Sequence, residues 1–392
     1  MAAGLARRDP LDIRIIRIAV ILGSTLAGLL VGEGAVRLFA PRALLVPFQD
    51  ELDGIIALRP NVRGRNAVPG VFDVTISTNP QRFRGPKNYD PEPAPGVIRI
   101  ATLGDSFTLG GGANDNEAYP AQLERFLQKR LGKGPAPISV EVINAGTSGT
   151  GTGEQALWYA RWVRQFHPRL VVLAVVPNDV DEDHARNLFT LDAAGRASPR
   201  PAPHIRAAAR PERLVRRFVN AVPGYQTLAQ HSQLLSLVRI TSSDLIARFR
   251  KLQDGVDSPE ESKYDEWFRT EGLQMLRAEV LWLRERTSES RAKLAVVFVP
   301  FPEALDSANS PGSEESRRKA QAITEALRQV CGSNRIPFAD VTPLLREQAA
   351  KTGGALYYKQ PDFHPNAEGY RVIAETVAEL ILKEGLLEIP VF

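Results

Sequence analysis

Val97-Ile98-Arg99-Ile100-Ala101-Thr102-Leu103-Gly104-Asp105-Ser106 is the stretch that decides the fold. A mostly apolar run stops at a glycine and two polar residues, as a buried strand does when it enters a loop. The same pattern repeats outward. Pro120 and Leu131-Gly132 bracket a helix, since proline suits a first helical turn and glycine the position past the last. Ile138–Ile143 reads as a strand, Glu154–Phe166 as a helix and Leu170–Val176 as another buried strand. Strand, helix, strand, helix, strand in this order implies an α/β fold with a parallel sheet and right-handed crossovers. The order breaks at residues 184–290, which read as a helical insertion. Within it, Pro201 to Lys251 carries nine Arg or Lys against Glu212 and Asp244. A strand at Leu294–Val299, a helix near Glu314–Cys331, a short strand at Ile336–Ala339 and a final helix over about Asn366–Leu382 complete the domain.

Composition bounds the rest. The chain has 392 residues, 43% of them hydrophobic and 24% charged, enough for one large core with appendages. A net charge of +4 is too mild to argue for nucleic acid. With Cys331 alone there is no intrachain disulfide, and the five histidines are too scattered for a zinc site.

The N-terminus differs in character. Ile18–Val31 carries no charge, and the apolar stretch extends from Ile13 to Phe39 if Arg14, Arg17, Glu33 and Arg37 lie near the interfaces, with the span itself placed at 13–36. This favours an uncleaved membrane anchor. A cleaved signal peptide is the alternative, but Gly32-Glu33-Gly34 is a poor cleavage site. Arg7, Arg8, Arg14 and Arg17 place residues 1–12 inside and the large domain outside. Residues 37–95 read as a connecting region with one alternating strand, Val71–Ile76, and a linker marked by Pro86, Pro91, Pro93 and Pro95. The domain then covers 96–392.

In parallel sheets, ligands bind beyond the carboxyl ends of the strands. The first strand leads into Gly104-Asp105-Ser106, the second into Asn144-Ala145-Gly146-Thr147-Ser148-Gly149, and the third into Asn178-Asp179. The last loop is Pro361-Asp362-Phe363-His364-Pro365-Asn366. A serine hydroxyl becomes a useful nucleophile when a neighbouring base takes its proton, and His364 is suited to do so. The resulting oxyanion needs aimed donors. Ser106 and Gly149 offer backbone N–H groups, and Asn178 offers its side-chain amide. Asp362 is placed to hold the imidazole tautomer. Asp105 reads as a turn-fixing residue.

These four blocks resemble those of the SGNH or GDSL hydrolase family, from about Ile98 to the final helix. Ser77-Thr78-Asn79 and Arg82-Phe83-Arg84-Gly85 also look like members with an N-terminal anchor. The resemblance implies a flavodoxin-like three-layer α/β/α sandwich. It implies esterase, lipase or acyl-transfer activity without metal or cofactor, with Ser106, Gly149, Asn178 and His364 in the name-giving roles. The family's acid stands three residues before the histidine. Here Pro361 holds that position and Asp362 is two before. Either a tighter loop still brings Asp362 to the ring, or a backbone carbonyl or water orients His364 and Asp362 faces solvent. Pro177 also stands before Asn178, where glycine is common in the family.

The expected function is a serine ester hydrolase acting on an ester partner: a carbohydrate O-acyl group of a cell-envelope polymer, a lipid ester or a small acyl ester. An O-acyltransferase would use the same site. Two remoter readings are a non-catalytic binding module and a nucleotide-binding oxidoreductase. The latter rests on Gly151-Thr152-Gly153-Glu154-Gln155-Ala156, which matches G-x-G-x-x-A. Its first glycine comes late after the strand, which argues against a dinucleotide site. Asp181-Glu182-Asp183-His184 reads as a solvated loop, with a hard-cation site as the alternative. The sequence leaves the oligomeric state open.

Overall fold

Strand β6 (Val97–Leu103) lies inside a five-stranded sheet. Side chains alternate along a strand, and both faces of this one are covered. Ile98 and Ile100 enter one hydrophobic cluster, Ala101 and Leu103 the other. Arg99 is tolerated within it because its charge is fully engaged. It pairs with Glu141 at 2.9 Å and donates to the carbonyls of Asp90, Pro91 and Phe166.

The structure is a computed structural model describing residues 10–45, 48–132, 139–201, 222–239, 241–242, 264–305, 311–352, 355–359 and 362–387. The other sheet strands are β7 (Ser139–Asn144), β8 (Leu170–Val175), β11 (Lys293–Phe298) and β12 (Phe338–Asp340). Their order is β7-β6-β8-β11-β12 and every pair is parallel. The chain leaves β6 to one side for β7, then crosses back to the other side for β8. This flavodoxin-like order opens a crevice at the carboxyl ends of β6 and β8.

Helices cover both faces. On one lie α3 (Tyr119–Leu131) and α10 (Ala367–Lys383), packed through Leu123, Leu127, Ile373 and Val377. On the other lie α4 (Thr152–Arg161), α7 (Leu273–Glu289) and α8 (Pro311–Ser333), packed through Leu157, Leu276, Leu283 and Leu327. The result is the expected three-layer α/β/α sandwich.

Helix α1 (Pro10–Phe39) stands outside it. Its segment Arg14–Phe39 is largely exposed and, with a mean hydropathy of 2.1 in its most apolar window, long and apolar enough to cross a membrane. Its far end is fastened. Glu33 accepts from Ser232 Oγ at 2.8 Å and from the N–H groups of Gln233 and Leu234 at 2.9 Å, and Arg37 donates to the His231 carbonyl. Glu33 therefore caps the helical residues that begin at Gln233, just after α6 (Tyr225–His231). Residues 1–9, with Arg7 and Arg8, lie outside the described residues.

The connecting region holds more structure than one strand. Strands β1 (Leu44–Leu45), β4 (Arg63–Val68) and β5 (Phe72–Ser77) form an antiparallel sheet; β2 (Gln49–Leu52) and β3 (Ile55–Leu58) form a hairpin. The sequence hides β4 because its inward positions are Gly64 and Asn66 rather than large apolar residues. The hairpin carried a readable signal in Asp53-Gly54, both at positive φ (49° and 85°). The proline-marked segment is no free linker: Tyr89 is buried and its hydroxyl donates to the Val142 carbonyl at 3.0 Å.

The insertion is only partly helical. After α5 (Asp179–Arg186) comes an antiparallel hairpin of β9 (Phe189–Leu191) and β10 (Ala197–Pro199). Most of the basic stretch Pro201–Lys251 lies outside the described residues. Asp181–His184 is helix rather than solvated loop, because Asp181 is held by Lys319 at 2.5 Å and Asp183 accepts from the Gly153 N–H at 3.0 Å.

Candidate active site

The site begins where β6 ends. Asp105 caps a single helical turn, α2 (Ser106–Leu109), by accepting from the Phe107 N–H at 2.8 Å. Ser106 is thereby fixed at the first position of the turn, at the mouth of the crevice. Its Oγ lies 2.9 Å from His364 Nε2 and 3.2 Å from Asp105 Oδ2. Asp105 thus does more than fix the turn.

His364 comes from the loop before α10. Asn366 caps that helix, accepting from the N–H groups of Glu368 and Gly369 at 3.0 Å. Farther back, the Tyr358 N–H donates to the His364 carbonyl at 2.9 Å. Phe363 stacks on the imidazole with ring centres 4.9 Å apart, and Phe107 lies 5.3 Å from it. Pro361 is outside the described residues, but Asp362 is not. Its Oδ1 accepts from His364 Nδ1 at 3.0 Å and from the His364 N–H at 2.8 Å. An acid two residues before the histidine therefore reaches the ring. Burial works to raise the Asp362 carboxyl; the hydrogen bond and charge of the His364 ring, with the N–H groups of His364 and Phe363, outweigh it and hold the carboxyl low.

Asn178 stands before α5 without capping it. Its Nδ2 instead points to Asp105 Oδ2 at 3.4 Å. Asp105 is thus shared between Ser106 and Asn178, which sequence reasoning missed. Burial raises the Asp105 carboxyl above its ordinary range. Gly149 lies on the loop from β7 to α4, at φ +69°. A Cβ there would meet no protein atom within 4 Å. The left-handed backbone at this position favours glycine.

The G-x-G-x-x-A segment serves another purpose. Gly151 is the residue before α4, and a Cβ on it would fall 2.2 Å from Asp183 Oδ1; one on Gly153 would fall 2.5 Å from Glu279 Oε1. The glycines make room for carboxylates where a dinucleotide fold would seat a phosphate. Burial pushes Asp183 up to about 7, and burial together with the Asp183 charge raises Glu279 well above the usual carboxylate range. Beside them Glu154 is neutralised by Arg186, at 2.9 Å, with both side chains buried.

A serine, a histidine and two carboxylates joined by hydrogen bonds at the topological switch point are groups that acyl-transfer chemistry uses. The chain is a member of the GDSL-like lipase/acylhydrolase family, whose model matches residues 102–372, more than half of its length. Among solved structures it is similar to a catalytic mutant of Axe2, an acetylxylan esterase from Geobacillus stearothermophilus, with 13% identity over 72% of this chain and 94% of that one and a TM-score of 0.39. It is also similar to LAE5, an α/β hydrolase enzyme from the metagenome of Lake Arreo, with 13% identity, coverage of 74% and 97% and a TM-score of 0.41. TesA gives 12% identity, coverage of 74% and 99% and a TM-score of 0.40. No curated protein matches the chain in sequence.

Proposed function

We propose that the protein is a serine ester hydrolase that forms an acyl-enzyme on Ser106, with His364 as base and Asp362 as the acid that orients it. The observation that carries this reading is the continuous hydrogen-bonded path from Ser106 Oγ to His364 Nε2 (2.9 Å) and from Nδ1 to Asp362 Oδ1 (3.0 Å). As Oγ attacks the ester carbonyl, its proton passes to Nε2. The carbonyl becomes an oxyanion, received by the N–H groups of Ser106 and Gly149 and the Asn178 amide. When the intermediate collapses, the alcohol leaves with the proton from His364. Water then repeats the sequence on the acyl-enzyme and releases the acid. An alcohol in place of that water would make the same site a transferase.

The substrate class we assign is an O-acyl ester of an envelope carbohydrate or lipid, reached by a domain of about residues 96–392 held outside the membrane by a span over 13–36. The support is the exposed apolar α1 leading directly into the folded domain. The test is turnover of p-nitrophenyl esters of increasing chain length by the full chain and by Ser106→Ala. Activity that survives Ser106→Ala, or fluorophosphonate labelling of another serine, refutes the assignment. Analysis of the products with an added alcohol acceptor separates hydrolysis from transfer.

A further inference from the structure

We propose that Arg84 is a positioning residue for His364, acting through the glycine loop Leu109–Ala113. The inference rests on the reading of Ser106 and His364 given above. Arg84 precedes the matched family segment and touches no reacting atom.

The backbone carbonyls of this loop are taken one after another. Arg84 Nη1 donates to Leu109 O at 3.0 Å and Gly110 O at 3.2 Å, and Nη2 donates to Ala113 O at 2.7 Å. The Tyr370 hydroxyl donates to Gly111 O at 3.1 Å and the Tyr358 hydroxyl to Gly112 O at 2.8 Å. The remaining edge of the guanidinium is held in turn: Nε donates to Asp115 Oδ1 at 2.7 Å, and that carboxylate accepts from the N–H and hydroxyl of Ser77. The Arg84 side chain is 1% exposed. Burying a guanidinium so completely is costly unless each donor is placed. A planar fork meets acceptors on several sides at fixed angles, which a lysine ammonium does not.

The loop matters because of Gly111. Its backbone lies against the Nε2 side of the imidazole, so closely that a Cβ would fall 2.9 Å from both Cδ2 and Nε2 of His364. The loop is thus a wall against the edge that faces Ser106. Arg84 holds its two ends, and the tyrosine hydroxyls hold its middle. A loosened wall lets the ring drift from Ser106 Oγ, and misplacement by about 1 Å costs about a hundredfold in rate.

The experiment compares Arg84→Lys, Gly111→Ala and His364→Ala as full chains in detergent. Active sites are titrated to completion with a fluorophosphonate, and kcat and KM for p-nitrophenyl acetate are expressed per titrated site. Arg84→Lys is expected to lower kcat by about 10- to 100-fold with KM within about twofold. Gly111→Ala, which leaves the Arg84 network in place, is expected to do the same by pushing the ring. A wild-type kcat per titrated site in Arg84→Lys, with fewer sites or a lower Tm, overturns the inference, because Arg84 then serves folding alone. If Arg84→Lys yields no folded protein, an unchanged kcat in Gly111→Ala overturns it instead. Activity retained by His364→Ala overturns the triad reading itself, and the inference with it.

Discussion

Asp362→Asn puts a number on the proposed triad. The amide is isosteric, so two orientations compete. With its Nδ2 toward His364 it would fix the proton on Nε2, the wrong tautomer for a base, and a loss of about 10⁴ would follow. In this loop that flip is opposed. The same Asp362 Oδ1 accepts from the His364 N–H at 2.8 Å as well as from Nδ1 at 3.0 Å. Turning an NH₂ toward both would leave a backbone donor unpaired, at about 1–3 kcal/mol. The oxygen should therefore stay, and what is lost is the charge. Opposite charges about 3–4 Å apart attract by about 4–5 kcal/mol at an effective dielectric near 20. The two side chains are 16% and 15% exposed, so water screens only part of this, while the amide dipole retains some of it. A net loss of about 2–4 kcal/mol remains, or about 30- to 1000-fold in kcat. Steady-state turnover of p-nitrophenyl acetate, with fluorophosphonate titration to count sites, measures it. Activity within about twofold of wild type, with His364→Ala inactive, would mean a Ser-His dyad. A loss of 10⁴ or more would mean that the amide flips despite the backbone donor.

Asn178→Ala should lower kcat by about 10²–10³ and leave KM nearly unchanged; an effect confined to KM would make Asn178 a binding residue only. Glu279→Gln should flatten the fall of stability with pH. Folded Asp183 and Glu279 hold protons that the unfolded chain releases near pH 4, so stability declines as pH rises from there through the raised value of about 7 for Asp183. Thermal unfolding between pH 5 and 9 reads this directly, and parallel Tm curves for the two proteins would refute it. For topology, a reporter fused after Phe392 should be active outside the cytoplasm. A soluble product cut near Gly34 would show instead that α1 is a signal peptide.

The sheet was legible because buried parallel strands are short apolar runs whose ends carry glycine and polar residues, as at Leu103-Gly104-Asp105 and Val175–Asn178. The candidate site residues were legible for the same reason, since ligands of parallel sheets bind where those runs stop. What lay hidden was whatever uses small or charged residues inward. Strand β4 buries Gly64 and Asn66, and Asp183 finds its donor on Gly153, far away in sequence. Arg84 reads in the sequence only as part of a motif, because the groups its proposed role depends on, the carbonyls of Leu109, Gly110 and Ala113 and the hydroxyls of Tyr358 and Tyr370, are scattered along the chain. Whether Asp362 reaches the ring depends on the shape of one loop, which spacing alone leaves undecided.

The grip of Glu33 on residues 232–234 bears on which molecules the enzyme can meet. A domain on a flexible leash sweeps a volume that widens with the length of its tether. Here only residues 40–43 separate α1 from β1, and the Arg42 N–H is itself held by Gln233. With α1 embedded as proposed, the domain rides on a stalk rather than a leash. Its crevice then works at a set altitude above the bilayer, and an ester is selected by the height at which it is presented as much as by its chemistry.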